Sequence, residues 1–115
     1  PTANGQAADW VLGQTNLTAS VSDTTATNFN QPAAIASNGV QLAVVDYNNY
    51  RVLVWNSIPA ANVAADVVLG QPDFTTVGGT ASQTRLFGPT GAVFFNKSLI
   101  VADTDNSRYV IYTGE

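Results

Sequence analysis

Hydrophobic residues run along this chain in short β-branched and aromatic bursts separated by clusters of Asn, Asp, Gly, Pro and Thr. That rhythm predicts strands and turns rather than helices. Residues 34–38 lead into Asn38-Gly39, a strong signal for a tight hairpin, and residues 41–46 resume the apolar run. Asp46-Tyr47-Asn48-Asn49 is a turn cluster, because Asn and Asp hydrogen-bond their own backbone, and a further strand follows over 50–55. Residues 58–62 interrupt the pattern and 66–70 restore it. The Thr/Ser/Gly-rich stretch 72–84 reads as a long exposed loop. Residues 60–65 are alanine-rich but short and preceded by Pro59, so one helical turn is the most they predict.

The strand pattern is written twice. Residues 8–17 read ADWVLGQTNL and residues 65–74 read ADVVLGQPDF, a shift of 57 positions from Asp9 to Asp66. Carried along the chain without a gap, the same shift sets Pro32 on Pro89, Leu42 on Leu99, Val44 on Val101, Asp46 on Asp103, Asn49 on Asn106 and Arg51 on Arg108. Further strands are therefore expected at 91–95, 98–103 and 108–113, with an isolated one at 9–13. Four antiparallel strands per period of this length is the pattern of a β-propeller blade.

The stretches VVLGQPDF, LFGPTGAV and LIVADTDNSRYVIY resemble the bacterial NHL repeat, a propeller repeat with a Gly-Pro-x-Gly-Val entry, a strand ending in Ala-Asp, an Asn/Asp turn and Arg-Val-x-Val-Trp after it. The second repeat carries the likeness most fully. In the first, Gln31-Pro32-Ala33-Ala34-Ile35 replaces the glycine-rich entry. The resemblance implies an all-β fold of about two four-stranded blades in a permuted frame, one unit over residues 1–115 with repeats at about 9–65 and 66–115. The leading strand Asp9, Trp10, Val11, Leu12 and Gly13 is expected to complete a blade of a neighbouring copy against 108–113. Two blades cannot close a ring, so the expectation is a homo-oligomeric ring of six or eight blades or, if the rotation does not close, a filament. The span is close to twice the period, and residue 115 followed by residues 1–9 of a next copy would imitate 58–66. A fragment of a larger NHL propeller and a ligand- or carbohydrate-binding propeller are the alternatives.

Composition narrows the chemistry. Charged residues make up 10 % of the chain and hydrophobic ones 45 %, which points to surfaces that meet other surfaces. The net charge is −4 and the four cations, Arg51, Arg85, Lys97 and Arg108, are scattered, so a nucleic-acid partner is not expected. No stretch is long and apolar enough for a membrane span. The chain has no Cys, His or Met, which removes thiol and imidazole chemistry. Lyase or metal-binding relatives within the resembled family imply His ligands that are missing here, and no triad-like arrangement exists, so neither enzyme activity nor a cofactor is expected.

Asp103-Thr104-Asp105-Asn106 spaces oxygens as calcium loops do but lacks the central glycine and distal glutamate, so no metal site is assigned. Asp46 with Arg51, and Asp103 with Arg108, read instead as structural turn pairs. Trp55 and Tyr112 fall on equivalent strand positions and are expected in the core, whereas Tyr47 and Tyr50 are the first choice for contact with a protein or glycan partner. Asn16 and Asn96 head N-linked glycosylation sequons, which would matter in the secreted, extracellular setting they suggest.

Overall fold

The computed structural model of the protein describes residues 1–114. Its fold is all-β, with two antiparallel sheets. The first contains β1 (Pro32–Ser37), β2 (Leu42–Asp46), β3 (Arg51–Trp55) and β4 (Val67–Leu69) in that spatial order. The second contains β5 (Pro89–Phe95), β6 (Ser98–Asp103) and β7 (Arg108–Thr113). Among the described residues no strand pairs with the outer edge of β7. Residues 9–13 form no strand within the single chain.

The strands lie where β-branched runs give a pleated surface to pack, and the breaks lie at residues that tolerate turn dihedrals. The hairpin joining β1 to β2 turns through residues 38–41 with Gly39 at φ 89°, and Asn38 Oδ1 accepts from the backbone N–H of Val40 and Gln41. The hairpin joining β5 to β6 needs only Asn96 and Lys97. The Asp/Asn clusters tighten into single 3-10 turns, Tyr47–Asn49 and Thr104–Asn106, each closed by a left-handed residue, Tyr50 or Ser107. The alanine-rich stretch 60–65 forms no helix. β1 starts at Pro32, two residues before its expected start, because the ladder continues through a bulge between Pro32 and Ala34.

Alternation along the strands builds two cores. Ala43, Val45, Val52 and Val54 project from one face of the first sheet and pack against Leu86, Leu99 and Val101, with Ala92, Phe94, Val110 and Tyr112 at the margin. This layer joins the two sheets. Leu42, Val44, Leu53 and Trp55 project from the opposite face and are covered by Phe29, Ala65 and, from the N-terminal segment, Leu12. The remaining face of the second sheet is bare: Val93, Tyr109 and Ile111 are exposed.

Candidate functional site

An Asp–Arg pair closes the turn between β2 and β3 and another the turn between β6 and β7. Asp46 and Arg51 face each other in the last pair of the β2–β3 ladder, and Arg51 Nε donates to Asp46 Oδ2 at 2.7 Å. Both side chains are fully buried. Burying an ion pair is tolerable only when the remaining donors and acceptors are matched. Here they are. Asp46 also accepts from Asn49 Nδ2 and from the Asn30 backbone N–H, while Arg51 Nη2 donates to the carbonyls of Thr25 and Asn28 and Nη1 to that of Phe74.

Asp103 and Arg108 repeat the arrangement 57 positions on. Asp103 accepts from Arg108 Nε, Asn106 Nδ2 and the Phe87 backbone N–H, and Arg108 Nη2 donates to the carbonyls of Ser82 and Arg85. Both carboxylates are thus engaged by N–H donors on each oxygen. One contact has no counterpart: Arg108 Nη1 meets no acceptor among the described residues, and the side chain is 33 % exposed.

In the first sheet the matching acceptor comes from the segment after β4. Phe74, which satisfies Arg51 Nη1, follows β4 in the chain. β4 pairs with β3 through Val52–Leu69, Leu53–Val68 and Val54–Val67, and beyond its start Asp66 locks the edge, its N–H donating to the Val54 carbonyl and its Oδ2 accepting from Asn56 N–H. Among the described residues nothing equivalent covers β7. In the first sheet Trp55 Nε1 donates to the Val63 carbonyl, whereas the hydroxyl of Tyr112, at the equivalent position, is buried with no partner among the described residues. Burial and the nearby Asp103 charge push the Tyr112 phenol above its ordinary pKa.

The segment that copies β4 in sequence sits on the other side of the molecule. Leu12 packs into the core over Leu42, Val44 and Leu53, and Gly13 is pinned by its N–H donating to Asn62 Oδ1 at 2.9 Å and its carbonyl accepting from Asn28 Nδ2. Gly13 and Gly70 share a left-handed backbone, φ 92° and 90°, and a Cβ on either would collide with the side chain behind it, Phe29 or Leu86. Both glycines therefore let their segment pack closely against the side chain behind it, Phe29 or Leu86. Asp9 and Trp10 are exposed, Val11 half-buried, and none of these residues has a backbone ladder partner. Beside them, Leu12, Phe29, Pro32, Ala33, Ile35 and Val44 line an open apolar groove of about 360 Å³.

The structure thus brings together Asp46 with Arg51 and Asp103 with Arg108, and keeps residues 9–13 apart from 108–113. Trp55 is in the core, and Tyr112 at its edge. Tyr50 is half-buried with its ring 4.5 Å from that of Phe87, in the segment before β5; Tyr47 is half-buried on the preceding turn. Asn16 and Asn96 are exposed, and Asn16 Oδ1 accepts from the N–H and hydroxyl of Thr18. Among the described residues no group of three acidic side chains could hold a metal ion. No helix is long and apolar enough to cross a membrane.

Sequence reasoning set Gly13 in the leading strand but passed over the lids Phe29 and Leu86, although the constant shift of 57 places those two on each other. No protein-family model and no curated protein matches the chain.

Proposed function

We propose that this chain is a structural and interaction module built of NHL-like propeller blades, which self-assembles by lending residues 9–13 of one copy to the open edge of the second sheet of another. One observation carries the reading: the segment that duplicates β4 is already seated against its own first sheet, with Leu12 in the place that Leu69 takes in the inter-sheet core, while the edge that such a strand would cover is bare. An open edge with free backbone donors and acceptors is a template for another chain. The contact is head-to-tail, so repetition yields a ring of six or eight blades if the rotation closes and a filament if it does not. An extracellular setting suits this role, with Asn16 and Asn96 free to carry glycan.

Native molar mass by light scattering, followed by negative-stain images of the same fraction, tests the proposal. A discrete mass of three or four chains supports the ring, and an unbounded distribution with fibres supports the filament. A monomer at all accessible concentrations overturns self-assembly in favour of a fragment of a larger propeller.

A further inference from the structure

The first sheet contains its own description of a finished edge, and it transfers to the second sheet position by position. Resting on the assembly reading above, we infer that a second copy of this chain covers β7 in one fixed register, Trp10 opposite Ile111, Val11 opposite Val110 and Leu12 opposite Tyr109, with the bare face of the second sheet closing over the apolar groove of that copy's first sheet.

The register follows from the β3–β4 ladder. Each of its pairs, Val54–Val67, Leu53–Val68 and Val52–Leu69, moves onto the named pair when the β3 residue is advanced 57 positions and the β4 residue is set back 57. Two side-chain groups without partners among the described residues, and the outer edge of β7, then find partners together. Set back by the same 57, the Phe74 carbonyl becomes that of Leu17, which meets Arg108 Nη1; the Val63 carbonyl becomes that of Gln6, which meets the Tyr112 hydroxyl. Asp66 becomes Asp9, whose N–H faces the Ile111 carbonyl and whose carboxylate accepts from Thr113 N–H. A one-residue slip satisfies none of these and turns every side chain to the wrong face.

Burial argues independently for the same occupant. Val52 and Val54 are 0 % and 6 % exposed because the second sheet lies on them, whereas their counterparts Tyr109 and Ile111 are 77 % and 61 % exposed. What covers Val52 and Val54 is a face made of Leu86, Leu99, Val101 and Val110. The chain's other such face, that of Phe29, Leu42, Val44 and Leu53, is already buried with Leu12 and Ala65, and what stays open beside it is the groove at Pro32, Ala33 and Ile35. In the register inferred above, that groove receives Tyr109 and Ile111.

Because the chain has no cysteine, two introduced ones report the register directly. The double variant Trp10→Cys/Ile111→Cys places thiols on directly opposed positions of one face; Trp10→Cys/Val110→Cys places them on opposite faces. After gentle oxidation, the first is expected to give a ladder of covalently linked chains with roughly tenfold more product than the second, since a disulfide tolerates only a narrow Cβ separation. Equal or greater linking by the second pair, in protein that light scattering shows to be assembled, overturns the register while leaving self-assembly standing. Monomeric wild-type protein overturns the assembly reading itself.

Discussion

Arg51 is held by four acceptors and shielded from water, so deleting Asp46 would strand a buried cation among carbonyls. Asp46→Ala is expected to cost about 3–5 kcal/mol, the range for breaking a buried pair from one side, read as a lower urea midpoint of dilute protein. Asp103→Ala should cost less there, because Arg108 is one-third exposed and can take up water. In concentrated, assembled protein the gap between the two variants should shrink. Gln31 stands at φ 55°, the conformation that its counterpart Gly88 adopts at φ 57°. A non-glycine residue there bears a left-handed penalty of about 1–2 kcal/mol, partly offset by the extra freedom glycine has when unfolded. Gln31→Gly is therefore expected to raise the melting temperature slightly, and a fall would show that the Gln31 side chain contributes more than the strain removes. Tyr112 titrates above its ordinary value because its phenolate is disfavoured by burial and by Asp103. The neutral form fits the fold, so stability is untouched below pH about 10 and falls as the unfolded chain ionises above it. Tyr112→Phe should flatten that alkaline loss in urea titrations taken across the range.

At the scale of elements, the segment around Leu12 behaves as a strand that is seated before it is paired. Its seat depends on Gly13, since any side chain there drives into Phe29 and must also accept φ 92°. Gly13→Ala is expected to lift residues 9–13 from the first sheet and abolish assembly, while the second sheet, whose own core uses Gly70 and Leu86, stays folded; far-ultraviolet circular dichroism and light scattering on one sample separate the outcomes. Retained assembly would mean that this segment is not the donor. Most of the strands were readable because Val44, Val45, Val52 and Val54 declare a pleated, buried surface and Asn38-Gly39 and Asp46 to Asn49 declare its turns. The Asp–Arg pairing was readable too, since an identical spacing recurred. What met Arg51 was not: its acceptors are the carbonyls of Thr25, Asn28 and Phe74, backbone groups that every residue carries and that no side-chain code marks. Tyr50 misled for a related reason. It stands where the other repeat has Ser107, which makes its aromatic ring a candidate partner contact, yet the ring packs on Phe87 from the segment before β5, a neighbour set by tertiary packing rather than by local sequence.

For the whole molecule, the consequence of a head-to-tail contact is that each copy has one donor end and one acceptor end, and these can be disabled separately. Gly13→Ala removes the donor and leaves β7 with its bare face intact. Tyr109→Lys/Ile111→Lys removes the acceptor, because two ammonium groups would have to be buried at positions that at the equivalent site are 0 % and 6 % exposed, and it leaves Leu12 and Gly13 untouched. Both changes to lysine fall on exposed residues and should leave the monomer folded. Burying Tyr109 and Ile111 contributes about 2 kcal/mol each, so losing both and adding charge should take the lysine variant's self-association beyond measurable range. Alone, each variant is then expected to run as a monomer. Mixed in equal amounts, they share one sound donor and one sound acceptor, and light scattering should find a discrete species of two chains that neither rings nor grows. A two-fold interface would regain only one of its two equivalent contacts in such a mixture, the other carrying both changes. A mixture that stays monomeric therefore argues against the head-to-tail contact even if the wild-type protein assembles. A mixture that grows beyond two chains would show that copies also meet through a surface outside these two ends.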